Sequence, residues 1–309
     1  MKHIDFENMK TSERDELTGE VKAIKLPYDP LPENFDLFLI GDSHLGNRAM
    51  SRSTVEKVVH NIKSKKHGYI AFQGDQLETI SVTDPRFDLM VHGHQYARFN
   101  AQRNAFIELF DSVGDRVLWI LDGNHERHIH NIYLPSLDIA EKFNTVYANG
   151  VLVKAMFGDW RMASWHGHGT VSSRAGDELQ RASNLLIALK RNLRNLPVDD
   201  CDIVACGHYH QCLLHPPENK LILLSEGLDL KSYYTQPGRT YMGDLLDQPA
   251  YRIHDSDRWW MCCGGFLKAY SEDMPSYTED WGLQATEMGY GHLEIKNGKP
   301  VTVEVVKMV

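Results

Sequence analysis

The 309-residue chain is long enough for one large domain or a domain with substantial insertions. Its 42% hydrophobic and 24% charged content is ordinary for a soluble globular protein, and a formal net charge of −9 argues against holding long nucleic acid by bulk electrostatics. No apolar run approaches a membrane span and the first twenty residues are too polar for a signal peptide, so a cytoplasmic protein with no membrane partner is expected.

Residues 1–34 read as a charged extension that ends in the proline-bearing segment Pro27 to Pro32. The domain itself is expected over 35–309. Its first strand, Phe35 to Ile40, runs into Gly41-Asp42-Ser43-His44-Leu45-Gly46-Asn47. Asp42 and His44 are two apart, so in an extended segment both point to one side and can ligate one ion. A helix from Ser53 to Lys65 carries Val55, Val58, Val59 and Ile62 at helical spacing and returns the chain to a second strand, Tyr69 to Phe72. Such a crossover is right-handed and parallel, which brings Asp75, in Gln73-Gly74-Asp75-Gln76, to the same sheet edge as Asp42.

A helix over Ala97 to Phe110 is predicted next, with Phe106, Ile107 and Phe110 on its apolar side. The pair His92-Gly93-His94 lies in a polar insertion, away from any strand end, and reads as a decoy. The apolar run Val117 to Ile120 reads as a buried strand that delivers Leu121-Asp122-Gly123-Asn124-His125-Glu126-Arg127 at its C-terminal end, where open α/β sheets bind ligands. A carboxamide oxygen can ligate a hard cation and an imidazole can move a proton near neutral pH, although Gly-Asn is also ordinary turn chemistry.

Thr145 to His166 reads as antiparallel strands turning at Asn149-Gly150 and Gly158-Asp159 and delivering His166-Gly167-His168-Gly169. A long helix over Gly176 to Leu193 follows, with a solvated basic end at Lys190, Arg191 and Arg194. The strand Asp202 to Cys206 then ends in Gly207-His208-Tyr209-His210, and another strand is expected over Lys220 to Leu224. The aromatic-rich stretch at about 226–288 reads as an insertion that forms a packed cap, in preference to a lid whose rings stack on a base. A terminal hairpin about Asn297-Gly298 carries alternating Val301, Val303 and Val305. Five cysteines, an odd number without C-x-x-C spacing, read as buried thiols in a reducing compartment.

Five strand ends thus carry Asp42/His44, Asp75, Asn124/His125, His166 and His208/His210. Carboxylate, imidazole and carboxamide suit Mn, Fe or Zn and need no thiolate. Asp42-Ser43-His44, Gly74-Asp75, Gly123-Asn124-His125-Glu126, His166 and Gly207-His208-Tyr209-His210 together resemble the motif set of the calcineurin-like metallophosphoesterase superfamily. That resemblance implies a four-layer α/β/β/α sandwich with two divalent ions, Mn²⁺ foremost and Fe, Zn or Ni as alternatives. One ion would take Asp42, His44, Asp75 and His210, and the other Asp75, Asn124, His166 and His208, with His166 preferred to His168. His125 would be the general acid, Glu126 would orient a neighbouring imidazole, and Arg48, Arg127 and His168 are candidates for contacts with the phosphate.

Within the superfamily, Asp122 stands where Ser/Thr protein phosphatases have Arg, which counts against protein phosphatase activity. Asp-x-His-Leu-Gly looks like the first motif of double-strand-break repair nucleases and of lipid A precursor pyrophosphatases. The expectation is therefore a phosphodiesterase acting on nucleic acid or nucleotides through a metal-activated hydroxide. A phosphomonoesterase or pyrophosphatase for a small metabolite is the runner-up, and a non-catalytic scaffold comes third.

Overall fold

The computed structural model describes residues 21–25, 31–80, 82–92, 95–148, 150, 152–234, 238–245, 248–270 and 285–308. Strand β1 (Val21–Lys25) lies within the expected extension and pairs in parallel with a later strand, Leu152–Phe157. β2 (Phe35–Ile40) alternates strictly: Phe35, Leu37 and Leu39 face one apolar cluster, Phe38 and Ile40 another. α1 (Arg52–Ser64) buries Val55, Val58, Val59 and Ile62 and returns the chain to β3 (Gly68–Phe72), parallel to β2. An excursion follows, with α2 (Leu89–His92) and α3 (Phe99–Phe110), before β4 (Val117–Ile120) pairs in parallel with β3. α4 (Asn124–His128) and α5 (Pro135–Phe143) lead to β5 (Val146–Tyr147), parallel to β4.

β6 (Leu152–Phe157) and β7 (Trp160–Trp165) form a hairpin in a second sheet. α6 (Glu178–Leu193) is capped by Asp177, whose side chain accepts from the Gln180 N–H at 2.8 Å. β8 (Ile203–Cys206) and β9 (Cys212–His215) come next. Then follow two isolated hairpins, β10 (Leu221–Glu226) with β11 (Asp229–Tyr234), and β12 (Arg239–Leu245) with β13 (Gln248–Ile253). β14 (Trp259–Cys263), β15 (Gly289–Lys296) and β16 (Lys299–Lys307) complete the chain.

The chain is mixed α/β, the class expected from the sequence. Its two large sheets have the orders β16-β15-β2-β3-β4-β5 and β1-β6-β7-β8-β14-β9. One apolar cluster lies between them, built from Leu37, Trp119, Phe157, Met162 and Met261 among others. A second packs the outer face of the first sheet on α1, α3 and α5, and a third packs the outer face of the second sheet on α6. Period-two alternation produces this, as in β14, where Met261 and Cys263 face inward while Trp260 and Cys262 face α6.

Two sequence expectations need correction, and two others are met. The strands flanking Asn149-Gly150 do not pair with each other, since β5 pairs in parallel with β4 and β6 belongs to the other sheet; Asn149 lies outside the described residues. The stretch read as one aromatic cap contains β14, a core strand parallel to β8 and antiparallel to β9. The strand expected at Lys220 to Leu224 is β10, exposed along its length and paired with β11. The terminal hairpin forms as expected about Asn297-Gly298, β15 against β16, with Val303 buried and Val301 54% exposed.

The pairing also decides where the two isolated hairpins sit. β9 runs antiparallel to β14 and so carries the chain away from the edge where β8 ends. From that far edge, the Ile253 N–H of β13 donates to the Asp199 carbonyl, and Arg239 donates to both carboxylate oxygens of Asp202, which precedes β8. These hairpins are therefore anchored at the edge opposite His208. Among the described residues, no helix is long and apolar enough to cross a membrane.

Candidate metal centre

The loops after β2, β3 and β4 of one sheet and after β7 and β8 of the other meet at a common edge. Their side chains sort into three compact groups, Asp42/His44/His210, His44/Asp75/His125 and Asp75/His166/His208, each with its ligand atoms within 4.8 Å of one another. Asp75 and His44 each belong to two groups. Tight backbone turns make this possible. Asp42, His44, Asp75, His208 and His210 all have positive φ, between 45° and 68°. Asn144 and Asn297, which share that conformation, end a helix and turn a hairpin. Residues with a Cβ pay about 1–3 kcal/mol for such backbone, and it persists where surrounding structure over-determines it, typically at functional sites.

Glycines let the loops approach. A Cβ on Gly123 would stand 1.9 Å from Asp75 Oδ1, and one on Gly207 would stand 2.5 Å from Asp42 Oδ2. The His208 N–H donates to Asp42 Oδ1 at 2.9 Å and Oδ2 at 2.8 Å, which ties the second sheet's loop to the first. His166 Nδ1 donates to the Gln73 carbonyl at 3.0 Å. Its Nε2 therefore faces two oxygens, Asp75 Oδ2 at 3.2 Å and Asn124 Oδ1 at 3.0 Å.

These donors fit divalent cations. His44 bonds Glu78 Oε2 through Nδ1 at 2.9 Å, leaving Nε2 buried without a hydrogen-bond partner, 3.7 Å from Asp75 Oδ2. His210 Nδ1 is likewise buried and unpartnered. Burial, with His166 as a second cause, lowers the His208 pKa to about 4, and burial beside His44 lowers that of His210 well below the histidine range. Both rings are then neutral and keep a lone pair for a cation. Burial would also lower His166, but Asp75 and Asp42 outweigh it and hold its proton up to about 10. Burial and the charge of Asp75 push Asp42 well above its ordinary value. For Asp75, burial is outweighed by His166 and His125, and its pKa falls well below the carboxylate range.

Several residues take places the sequence did not indicate. Glu126 reaches no imidazole; its carboxylate accepts from the N–H groups of Gly123 (2.8 Å), Asp75 (3.0 Å) and Leu77 (2.8 Å) and so braces two loops. Burial and Asp75 push its pKa up to about 7. Orienting an imidazole falls instead to Glu78, which holds His44 and lies three residues after Asp75, a spacing that could have pointed to it. His92 is no ligand of the three groups, yet it is 2% exposed with Nε2 3.3 Å from Glu78 Oε1; His94 lies outside the described residues. Arg48 is exposed and donates to the Met90 carbonyl at 3.0 Å. Arg127 and His168 are exposed, and His168 falls outside the three ligand groups while its backbone is tied to the Tyr209 hydroxyl.

No protein-family profile matches this chain, and no curated protein does. Solved structures are similar to it at low identity. One is a predicted phosphoesterase from Streptococcus pneumoniae, 11% identical with a TM-score of 0.31 over 89% of this chain and 98% of that one. Another is Vps29 of Chaetomium thermophilum, at 11% and 0.37 over 89% and 97%. A third is a metallophosphoesterase from Sphaerobacter thermophilus, at 13% and 0.37 over 89% of each chain. Function therefore has to be argued from the chemistry of the site.

Proposed function

We propose that this chain is a two-metal-dependent phosphoesterase that hydrolyses phosphodiester bonds of nucleic acid or nucleotides. The observation that carries this reading is Asp75, a buried carboxylate shared between ligand groups that two different sheets complete. One ion, Mn²⁺ foremost, would be held by Asp42, His44, Asp75 and His210, and the other by Asp75, Asn124, His166 and His208. Bound there, the pair supplies Lewis acidity toward the phosphoryl oxygens and a nucleophile competent at neutral pH.

The chain's own residues supply the proton. His125 Nδ1 donates to the Glu78 carbonyl at 2.6 Å, so the proton gained when the ring becomes an imidazolium sits on Nε2 and is the transferable one. Burial disfavours its charged form, but Asp75 and Glu78 outweigh this and raise its pKa above the ordinary histidine value. That shift favours the imidazolium, the form that can protonate a leaving alkoxide. The His125 N–H donates to Asp75 Oδ1 at 2.9 Å, which fixes the proton donor relative to the shared ligand. Arg127 and His168 are exposed and would be available to an incoming phosphate. The net charge of −9 favours small or single-stranded substrates over long duplexes. A reducing compartment such as the cytoplasm suits the five buried free thiols.

The test compares bis-p-nitrophenyl phosphate with p-nitrophenyl phosphate, using metal-stripped protein with and without added Mn²⁺. Diester turnover that requires Mn²⁺ and disappears in His125→Ala and Asp75→Ala is the expected result. Preference for the monoester would move the assignment to a phosphomonoesterase. A protein that binds no divalent ion would overturn it altogether.

A further inference from the structure

We infer that His92, carried on the excursion between β3 and β4, is a positioning residue that acts on the centre through Glu78. The inference rests on the two-metal reading above and concerns how His44 and His125 are held. Glu78 is 4% exposed and serves three imidazoles at once. Its Oε2 bonds His44 Nδ1 at 2.9 Å, its Oε1 lies 3.3 Å from His92 Nε2, and its backbone carbonyl accepts from His125 Nδ1 at 2.6 Å. A buried carboxylate with one oxygen unpaired would turn to find a donor, and turning would pull Oε2 away from His44. The orientation of the His44 ring therefore depends on His92 occupying Oε1.

His92 is itself fixed from several sides. Its Nδ1 lies 3.1 Å from the Asp88 N–H and 2.9 Å from the Asp88 carbonyl, and its ring stacks on Phe87 with centroids 5.3 Å apart. The short helix that carries it is pinned to the loop after His44, where the Arg48 N–H donates to the Val91 carbonyl at 2.8 Å and the Arg48 side chain to that of Met90. Through this docking the excursion supplies one fixed donor to the buried edge of the centre. A group hydrogen-bonded directly to a metal ligand, as Glu78 is to His44, commonly changes affinity or activity by ~10–100-fold when lost, and His92 acts one link further out, through that group.

Three variants separate positioning from mere packing. His92→Ala removes the donor and the ring. His92→Phe keeps an aromatic ring on Phe87 without a donor, and His92→Gln keeps an amide N–H near the place of Nε2. Each would be titrated with Mn²⁺ by calorimetry and assayed for kcat and KM on bis-p-nitrophenyl phosphate, with Tm recorded. The expected pattern is Mn²⁺ binding weakened and kcat lowered by up to ~10-fold in His92→Phe and His92→Ala, KM little changed, and substantial recovery in His92→Gln. Recovery by Phe instead of Gln would overturn the inference and leave a packing role. Wild-type affinity and kcat in all three would overturn it too, while the two-metal reading stood. A wild-type protein that binds no Mn²⁺ would remove both. Should His92→Ala fail to fold, the comparison of Gln with Phe still decides.

Discussion

Asp75 and His166 carry the strongest residue-scale expectations. In the metal-free protein, the His166 proton is held up to about 10 by Asp75, which it bonds, and by the charge of Asp42, and a cation would displace it. Loading metal-stripped protein with Mn²⁺ in weak buffer at about pH 8 should release about one proton from this ring, read by a pH indicator, and affinity should rise with pH. The sign for stability follows from the same shift. A histidine whose folded pKa is raised stabilises the fold below its unfolded value of about 6.5 and loses that contribution as pH rises through about 10. Thermal melts should therefore show the metal-free form losing stability over that window and the loaded form losing less. Gly123→Ala gives a steric test of the same spot, since its Cβ would stand 1.9 Å from Asp75 Oδ1. It should abolish Mn²⁺ binding in calorimetry and cost about 1–3 kcal/mol in urea unfolding. These residues were legible in the sequence because each stands beside its own strand end in a short motif. Glu78 stands close enough to Asp75 to have been suspected, but its partnership with His92 was not legible, because it joins positions fourteen apart through the fold.

At the scale of elements, the same limit appears in β14. Aromatic content suggested a cap, but Trp259-Trp260-Met261-Cys262-Cys263 is a short continuous apolar run, and such a run can cross a sheet buried on both faces. Trp260 is 0% exposed, packs in the cluster with α6 and donates from Nε1 to the Asp255 carbonyl at 3.0 Å. Trp260→Ala should accordingly destabilise the protein by about 3–5 kcal/mol in denaturant titrations, where a cap residue would cost far less. The Asn149-Gly150 expectation failed for a related reason. Two turn-forming residues signal a change of direction, and only the pairing of the flanking strands, one in each large sheet, tells whether a hairpin results. Helices fared better, because Val55, Val58, Val59 and Ile62 lie on one face whatever they pack against.

The whole molecule is polar in its layout, with the metal-ligand candidates at one sheet edge and the two isolated hairpins at the other. β10 and β11 are exposed along their full length, and Leu228 at their turn is 105% exposed. A two-stranded hairpin is marginal by itself, so this one contributes little to the stability of the body. Replacing Leu221–Tyr234 with a short Gly/Ser linker should leave Tm nearly unchanged and diester turnover within about twofold of the intact chain. Loss of Mn²⁺-dependent turnover in that variant would show that the far edge does reach the centre. The Gly227-Leu228 turn also gives the molecule a natural point of attachment. A fluorophore or surface tether fixed there would hold the protein by its far end, leaving the mouth of the centre turned outward toward whatever phosphate ester diffuses past.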